Sequence, residues 1–492
     1  MELSAFNKNI ETKDIPVFKL VALLVSFFVV NYIAKNGDSS SSNLLITFIA
    51  FELILILIDP VYAFVFSFVI HVDVMSYFDS GLIQPLAFIT MFYVFIKDPN
   101  TLKNLLADKK LRNLLSLNLV LMVYLVLINI WSKSGFNYVI FLRAFGYVFG
   151  FLAILPAYYF TIKQPKDFFI SLIAITGCFL FVYYLDIIKP MGIFKLDSYL
   201  HLEDSTMERL AGYDVRQFMI FFAYLIPASV LLTNIKKINQ YVLIALGIFS
   251  YIIFVLAFYR LAMFYVVAGA ILSYTFIKKY ADTTNILKYL IAFIALLFFA
   301  SIFFANYITE ISNIFQITID YFSGKGVDNS ADTRFDFQLP FLSKLFFSNP
   351  WTGIGLIEII KFYAIDMMGF VDFPIIGTLT AYGIIGMILY YLKFFVLLTG
   401  TNRNSNNFDI NKHEPFTLYI YLTLKAYFIT MITFRVFYVS WEFTFDYQQA
   451  EFGLFAGVFL ALNNILGQQE LEDQSEEEEF DKEFEEGEVI QA

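Results

Sequence analysis

Residues 241–258 read Tyr-Val-Leu-Ile-Ala-Leu-Gly-Ile-Phe-Ser-Tyr-Ile-Ile-Phe-Val-Leu-Ala-Phe, an apolar run without a single charge. A helix of this length covers about 27 Å, close to the hydrocarbon thickness of a bilayer. The apolar residues do not alternate with polar ones, so the run reads as a transmembrane helix and not as a barrel strand. Comparable blocks recur at 16–34, 44–58, 61–72, 82–96, 113–131, 138–161, 168–188, 214–234, 261–278, 286–307, 374–398, 415–437 and 448–466, and the quoted run marks the block 240–257. They predict an all-α integral membrane protein, a polytopic bundle of about 12–14 transmembrane helices. Spans 44–58 and 61–72 are short and separated only by Asp59-Pro60, which leaves open a hairpin or one broken helix. Only 15% of the residues are charged, where a soluble domain carries roughly 25%. The abundant phenylalanine and tyrosine, 61 and 32 residues, read mostly as packing against lipid.

The formal charge of −10 is unevenly placed. Beyond residue 466 the chain holds twelve acids, including the run Glu476 to Glu479, against Lys482 alone, so the body is close to neutral. Residues 1–466 are therefore read as a transmembrane body and 467–492 as an acidic, solvated, disordered tail. Alternation of the spans assigns about fifteen basic residues, among them Lys97, Lys103, Lys109, Lys110, Arg112 and Lys163, to one set of short loops, and the positive-inside rule then puts both termini in the cytoplasm. The run from Pro16 to Ala34 lacks a small-residue cleavage site and reads as a retained anchor helix. Cys178 is the lone cysteine, and His71, His201 and His413 lie far apart, so neither a disulfide framework nor a metal site is expected. No cofactor signature and no nucleic-acid signature is present.

Two connections on the opposite, outer side are too long for turns: a smaller loop over 189–213 and a large one over 308–373. Loops of this length in a compact bundle usually carry function. The large loop contains an amphipathic stretch, residues 335–347, with a break expected near Pro340. The eight arginines are divided in a telling way. Arg112 and Arg403 lie in the cytoplasmic loops, whereas Arg143, Arg209, Arg216, Arg260, Arg334 and Arg435 fall toward the outer face, against the positive-inside rule. Arginine at membrane depth costs at least about 2.5 kcal/mol unless it faces a polar cavity. Its planar fork suits phosphate and carboxylate. The set reads either as a basic cavity for an anionic lipid-linked group or as arginines paired with nearby acids such as Asp186, Glu208 and Asp336.

Several motifs then fall into an order. Tyr259-Arg260-Leu261-Ala262-Met263-Phe264 opens a span after a short outer turn. Asp332-Thr333-Arg334 precedes Phe346-Phe347-Ser348-Asn349-Pro350-Trp351-Thr352-Gly353-Ile354-Gly355, and Ala381-Tyr382-Gly383-Ile384-Ile385-Gly386 follows. Upstream lies Gly212-Tyr213-Asp214-Val215-Arg216. This succession resembles the O-antigen ligase and polymerase superfamily over about residues 212–400, with its "SRGA", "R…dnPlfGvG" and "GliG" segments. Where the ligases carry a histidine ahead of that last segment, this chain has Asp372, a departure that favours the Wzy-type polysaccharide polymerases.

The resemblance implies a membrane glycosyltransferase of the bacterial inner membrane. Its substrate would be an undecaprenyl-diphosphate-linked oligosaccharide, polymerised at the outer face into O-antigen, capsule or exopolysaccharide, without a metal. Membrane lipids are the other implied partners, with a chain-length regulator as a further one. Arg216, Arg260 and Arg334 are the expected catalytic cations that stabilise the leaving diphosphate, and Asp372 is the candidate base. Arg143, Arg209, Arg435, Trp351 and Tyr363 are the expected substrate-binding residues. A ligase moving glycan to another acceptor and a lipid-linked oligosaccharide flippase remain the alternatives.

Overall fold

The structure, a computed structural model, describes residues 17–36, 42–69, 89–131, 150–188, 217–231, 237–256, 260–280, 316, 320, 323, 339–355, 374–399, 415–435 and 451–468. The described residues contain helices and turns and no strand. In chain order the helices are α1 (Val17–Asn36), α2 (Ser42–Ile58), α3 (Pro60–Val69), α4 (Ile89–Lys97), α5 (Asn100–Ala107), α6 (Lys109–Trp131), α7 (Ile154–Lys163) and α8 (Pro165–Ile188). They continue with α9 (Gln217–Leu231), α10 (Lys237–Leu256), α11 (Arg260–Ile277), α12 (Leu339–Ser348), α13 (Pro374–Leu398) and α14 (Pro415–Thr430), the last extended by a π-helical turn, Met431–Arg435. A final helix, α15, spans 451–468. A described helix falls on each expected span except 286–307, which lies outside the described residues. Among the described residues, three stretches, Lys109–Ile128, Ile376–Leu398 and Phe416–Thr433, are by length and composition long and apolar enough to cross a membrane.

Acid–proline pairs and lone aspartates punctuate the chain as helix starts. The Asp59 carboxylate accepts the Val61 N–H (3.1 Å) at the head of α3, with Pro60 fitting the first helical position. Asp98 accepts the Asn100 N–H (3.2 Å) and the Thr101 hydroxyl (2.9 Å). Asp108 accepts the N–H groups of Lys110 (2.8 Å) and Leu111 (3.1 Å) at the start of α6. The choice between a hairpin and a broken helix at Asp59-Pro60 falls to the hairpin. Phe48 of α2 stacks on Phe66 of α3 with centroids 5.4 Å apart, which only antiparallel helices permit. Lys19 of α1 closes the bend through a 2.6 Å ion pair with Asp59.

The aromatic residues do more than face lipid. The largest fully buried side chains among the described residues include Tyr62, Tyr224, Tyr382, Tyr421, Tyr427, Phe27 and Phe48, so the rings also fill the interior. With apolar solvent outside, burial of apolar surface gives little drive, and close contact of helices plus shared hydroxyl groups takes over. Helix α15 shows the first device. A Cβ on Gly453 would stand 2.6 Å from the Phe151 carbonyl oxygen, and one on Gly457 would stand 2.5 Å from that of Ile154. The second device joins α9, α11 and α14. Tyr224 donates to Thr430 Oγ1 (2.9 Å), and the hydroxyls of Ser273 and Thr423 lie 3.2 Å apart. Of the stretch over 335–347, residues 339–347 are described: Pro340 sits in the first described turn of α12, where its missing N–H costs nothing, and the part ahead of it lies outside the described residues.

Candidate functional site

Helix α13 is interrupted at Gly383, whose φ of 65° and ψ of −175° belong to a region that essentially only glycine occupies. A break inside a membrane-length helix strands the last carbonyls of one half and the first N–H groups of the other, and hydrocarbon offers them no partner. Here the turn Asn349–Gly355 supplies the partners. The carbonyls of Pro350 and Trp351 accept the N–H groups of Ile384 (2.9 Å) and Ile385 (3.2 Å). In the other direction, the N–H groups of Ile354 and Gly355 donate to the carbonyls of Thr380 (2.9 Å) and Ala381 (3.0 Å). The exchange is reciprocal, backbone to backbone, and works as a clasp.

Side chains complete it. The Tyr124 hydroxyl on α6 donates to the Tyr382 carbonyl (2.7 Å) and takes a hydrogen bond from the Gly386 backbone, so one phenol bridges both sides of the break. Thr380 Oγ1 donates to the Leu342 carbonyl (3.2 Å) and seats α12 against α13 through the buried Leu342. Asparagine, proline and glycine in this spacing explain the turn. The Gly353 N–H closes back on the Asn349 carbonyl (2.8 Å), and Gly353 and Gly355 both take positive φ, 72° and 86°. No side chain fits at the crossing point. A Cβ on Gly353 would meet the Ala381 backbone at 2.4 Å, and one on Gly383 would meet the Trp351 carbonyl oxygen at 2.2 Å.

The two sequence segments quoted above as motifs, 346–355 and 381–386, thus form one site. Trp351 lies at its rim with 64% of its surface exposed, presenting an indole face beside the break. Arg143, Arg209, Arg216, Arg334, Asp372 and Tyr363 lie outside the described residues. Of Arg260, the first residue of α11, and Arg435, the last of the π-helical turn, the backbone alone is described.

Residues that the sequence reading passed over include Tyr124 and Thr380, which inside apolar runs give no signal beyond a hydroxyl. Two others had a stronger signal, a charge inside a span. Glu52 of α2 is 0% exposed; Thr90 Oγ1 lies 3.4 Å from its Oε1, and its Oε2 has no hydrogen-bond partner among the described residues. Lys393 of α13 is 1% exposed, and its Nζ lies 4.7 Å from the Tyr390 ring, 5.1 Å from Phe452 and 5.5 Å from Phe151. No cluster of three histidine, cysteine or acidic side chains able to hold a metal occurs among the described residues. No family model and no curated protein matches the chain.

Proposed function

We propose that this protein is a polysaccharide polymerase that joins lipid-diphosphate-linked oligosaccharide repeat units at the outer face of a bacterial inner membrane. The single observation that carries the reading is the clasp at Gly383. Two segments that resemble the superfamily, 346–355 and 381–386, meet there through three backbone hydrogen bonds, and a fourth runs from Ile354 to Thr380 just ahead of the second segment. Discontinuous helices in membrane proteins mark the depth at which polar substrates are handled, because irregular backbone is tolerated only where protein or a cavity surrounds it.

The proposal includes the topology of about 12–14 spans with both termini cytoplasmic. Contacts between helix ends agree with that alternation: Lys19 with Asp59, Asn464 with Asp108, and the Tyr419 hydroxyl with the Tyr280 carbonyl (3.2 Å) each join ends that it assigns to one side. In the reaction the sugar hydroxyl oxygen of one repeat unit attacks the anomeric carbon of the growing chain. The bond from that carbon to the carrier diphosphate breaks, the diphosphate keeps the electron pair, and the hydroxyl proton passes to Asp372. Arg216, Arg260 and Arg334 stabilise the charge that develops on the diphosphate. Arg143, Arg209 and Arg435 hold the carrier, while Trp351 and Tyr363 stack sugar rings.

The test is glycan chain length in a strain that depends on this protein. Arg260→Ala and Arg334→Ala, in protein shown to insert normally, are expected to leave single repeat units on the carrier. Unchanged chain length in both variants defeats the proposal, and full activity of Asp372→Asn removes the base assignment.

A further inference from the structure

At one corner of the bundle four helices bring their basic residues together: Lys97 ends α4, Lys103 lies on α5, Lys109, Lys110 and Arg112 open α6, and Lys163 ends α7. All but Lys110 are exposed. Hydrogen bonds fasten the corner. Thr101 donates to Asp98 (2.9 Å), Tyr159 is hydrogen-bonded to Thr101, and Tyr158 donates to Asp108 (2.8 Å). Asn464 of α15 donates to Asp108 (2.7 Å) and also to the Tyr158 hydroxyl.

The start of α6 is unusual for its charge. Helix N-termini favour acids, because the stranded N–H groups form the positive end of the helix dipole. Here the first turn carries no acid, and Lys109, Lys110 and Arg112 fall within it or next to it. Asp108 offsets part of this as the cap, but its two oxygens are already taken by backbone N–H groups, Tyr158 and Asn464. The Lys110 ammonium is buried with no hydrogen-bond partner among the described residues. The corner therefore holds more positive charge than its own structure neutralises.

We propose that this basic rim is the docking surface for the acidic segment 469–492 of the same chain. Three observations single out that occupant. The segment leaves α15 at residue 468, four residues beyond the side chain that is bonded to the rim. Its first acid, Glu470, is six residues from Asn464, at most about 20 Å of extended chain, so the rim is within reach of the segment from its start. The charges are complementary: twelve acids and Lys482 against six cations. Tethering makes the encounter intramolecular, which raises the effective concentration of the acids at the rim. The result is an electrostatic latch between α15 and the α4–α7 corner, independent of the glycan-transfer reading. The competing occupant is an anionic lipid headgroup, which the same cations would attract.

The experiment is zero-length carbodiimide crosslinking of the full-length protein, mapped by mass spectrometry. It is run in nanodiscs of zwitterionic lipid and in nanodiscs containing an anionic phospholipid. Isopeptide links from Lys103, Lys109 or Lys163 to acids between Glu470 and Glu488 are expected in both. They should be lost in 1 M salt, where the screening length is about 3 Å. They should also be lost when Glu476→Gln, Glu477→Gln, Glu478→Gln and Glu479→Gln are combined in protein that elutes as a single species. Absence of intramolecular links in both kinds of disc overturns the proposal. Links confined to the zwitterionic discs overturn it as well and assign the rim to lipid headgroups.

Discussion

Replacing Gly383 by alanine attacks the clasp at the one point where its two partners touch. The new Cβ would stand 2.2 Å from the Trp351 carbonyl oxygen and 2.3 Å from its carbon, distances that no rotamer change relieves because both atoms are backbone. A non-glycine residue held at φ 65°, ψ −175° costs about 1–3 kcal/mol by itself. If the turn retreats to relieve the clash, the N–H groups of Ile384 and Ile385 lose their acceptors. Each stranded group adds about 1–3 kcal/mol, so the whole effect is roughly 3–9 kcal/mol. Two assays read it in detergent: a lower melting temperature, and faster tryptic cleavage after Lys344, which is exposed on α12 beside the clasp. Ile388→Ala, on an outward-facing position of the same helix, is the control expected to leave both unchanged. A Gly383→Ala protein with the wild-type melting temperature and the wild-type cleavage rate would refute the reasoning.

Two further outcomes follow from the same geometry. Tyr124→Phe removes the hydroxyl that bridges Tyr382 and Gly386 and is expected to destabilise the protein by about 1–3 kcal/mol, seen as a lower melting temperature in detergent. Asp108→Ala removes a helix cap of about 0.5–2 kcal/mol and charge-assisted hydrogen bonds of about 1.5–3 kcal/mol to Tyr158 and Asn464. A double-mutant cycle of Asp108→Ala with Asn464→Ala should show coupling of about 0.5–3 kcal/mol, and strict additivity would mean that α15 is not tied to α6.

Much of the fold could be read from local sequence. The apolar runs locate the helices because every backbone group in hydrocarbon must be satisfied within its own segment. Asp59-Pro60 and Asp98-Pro99 mark helix starts because an aspartate beside a fixed φ caps the next turn. The glycines at 353, 355 and 383 stand in two separate motifs of the sequence, but nothing in either motif states that the first segment enters the second's helix.

The chain's own residues therefore settle that it is helical, roughly where most of its described helices lie, and that its acids concentrate beyond residue 466, since these follow from composition and from interactions a few residues long. Tertiary structure alone decided that α2 and α3 fold back on each other, that Asn349–Gly355 fills the break at Gly383, and that Asn464 meets Asp108. Those contacts join residues far apart in sequence, and their partners are chosen by which stranded N–H, carbonyl or carboxylate the packed helices leave within hydrogen-bonding reach.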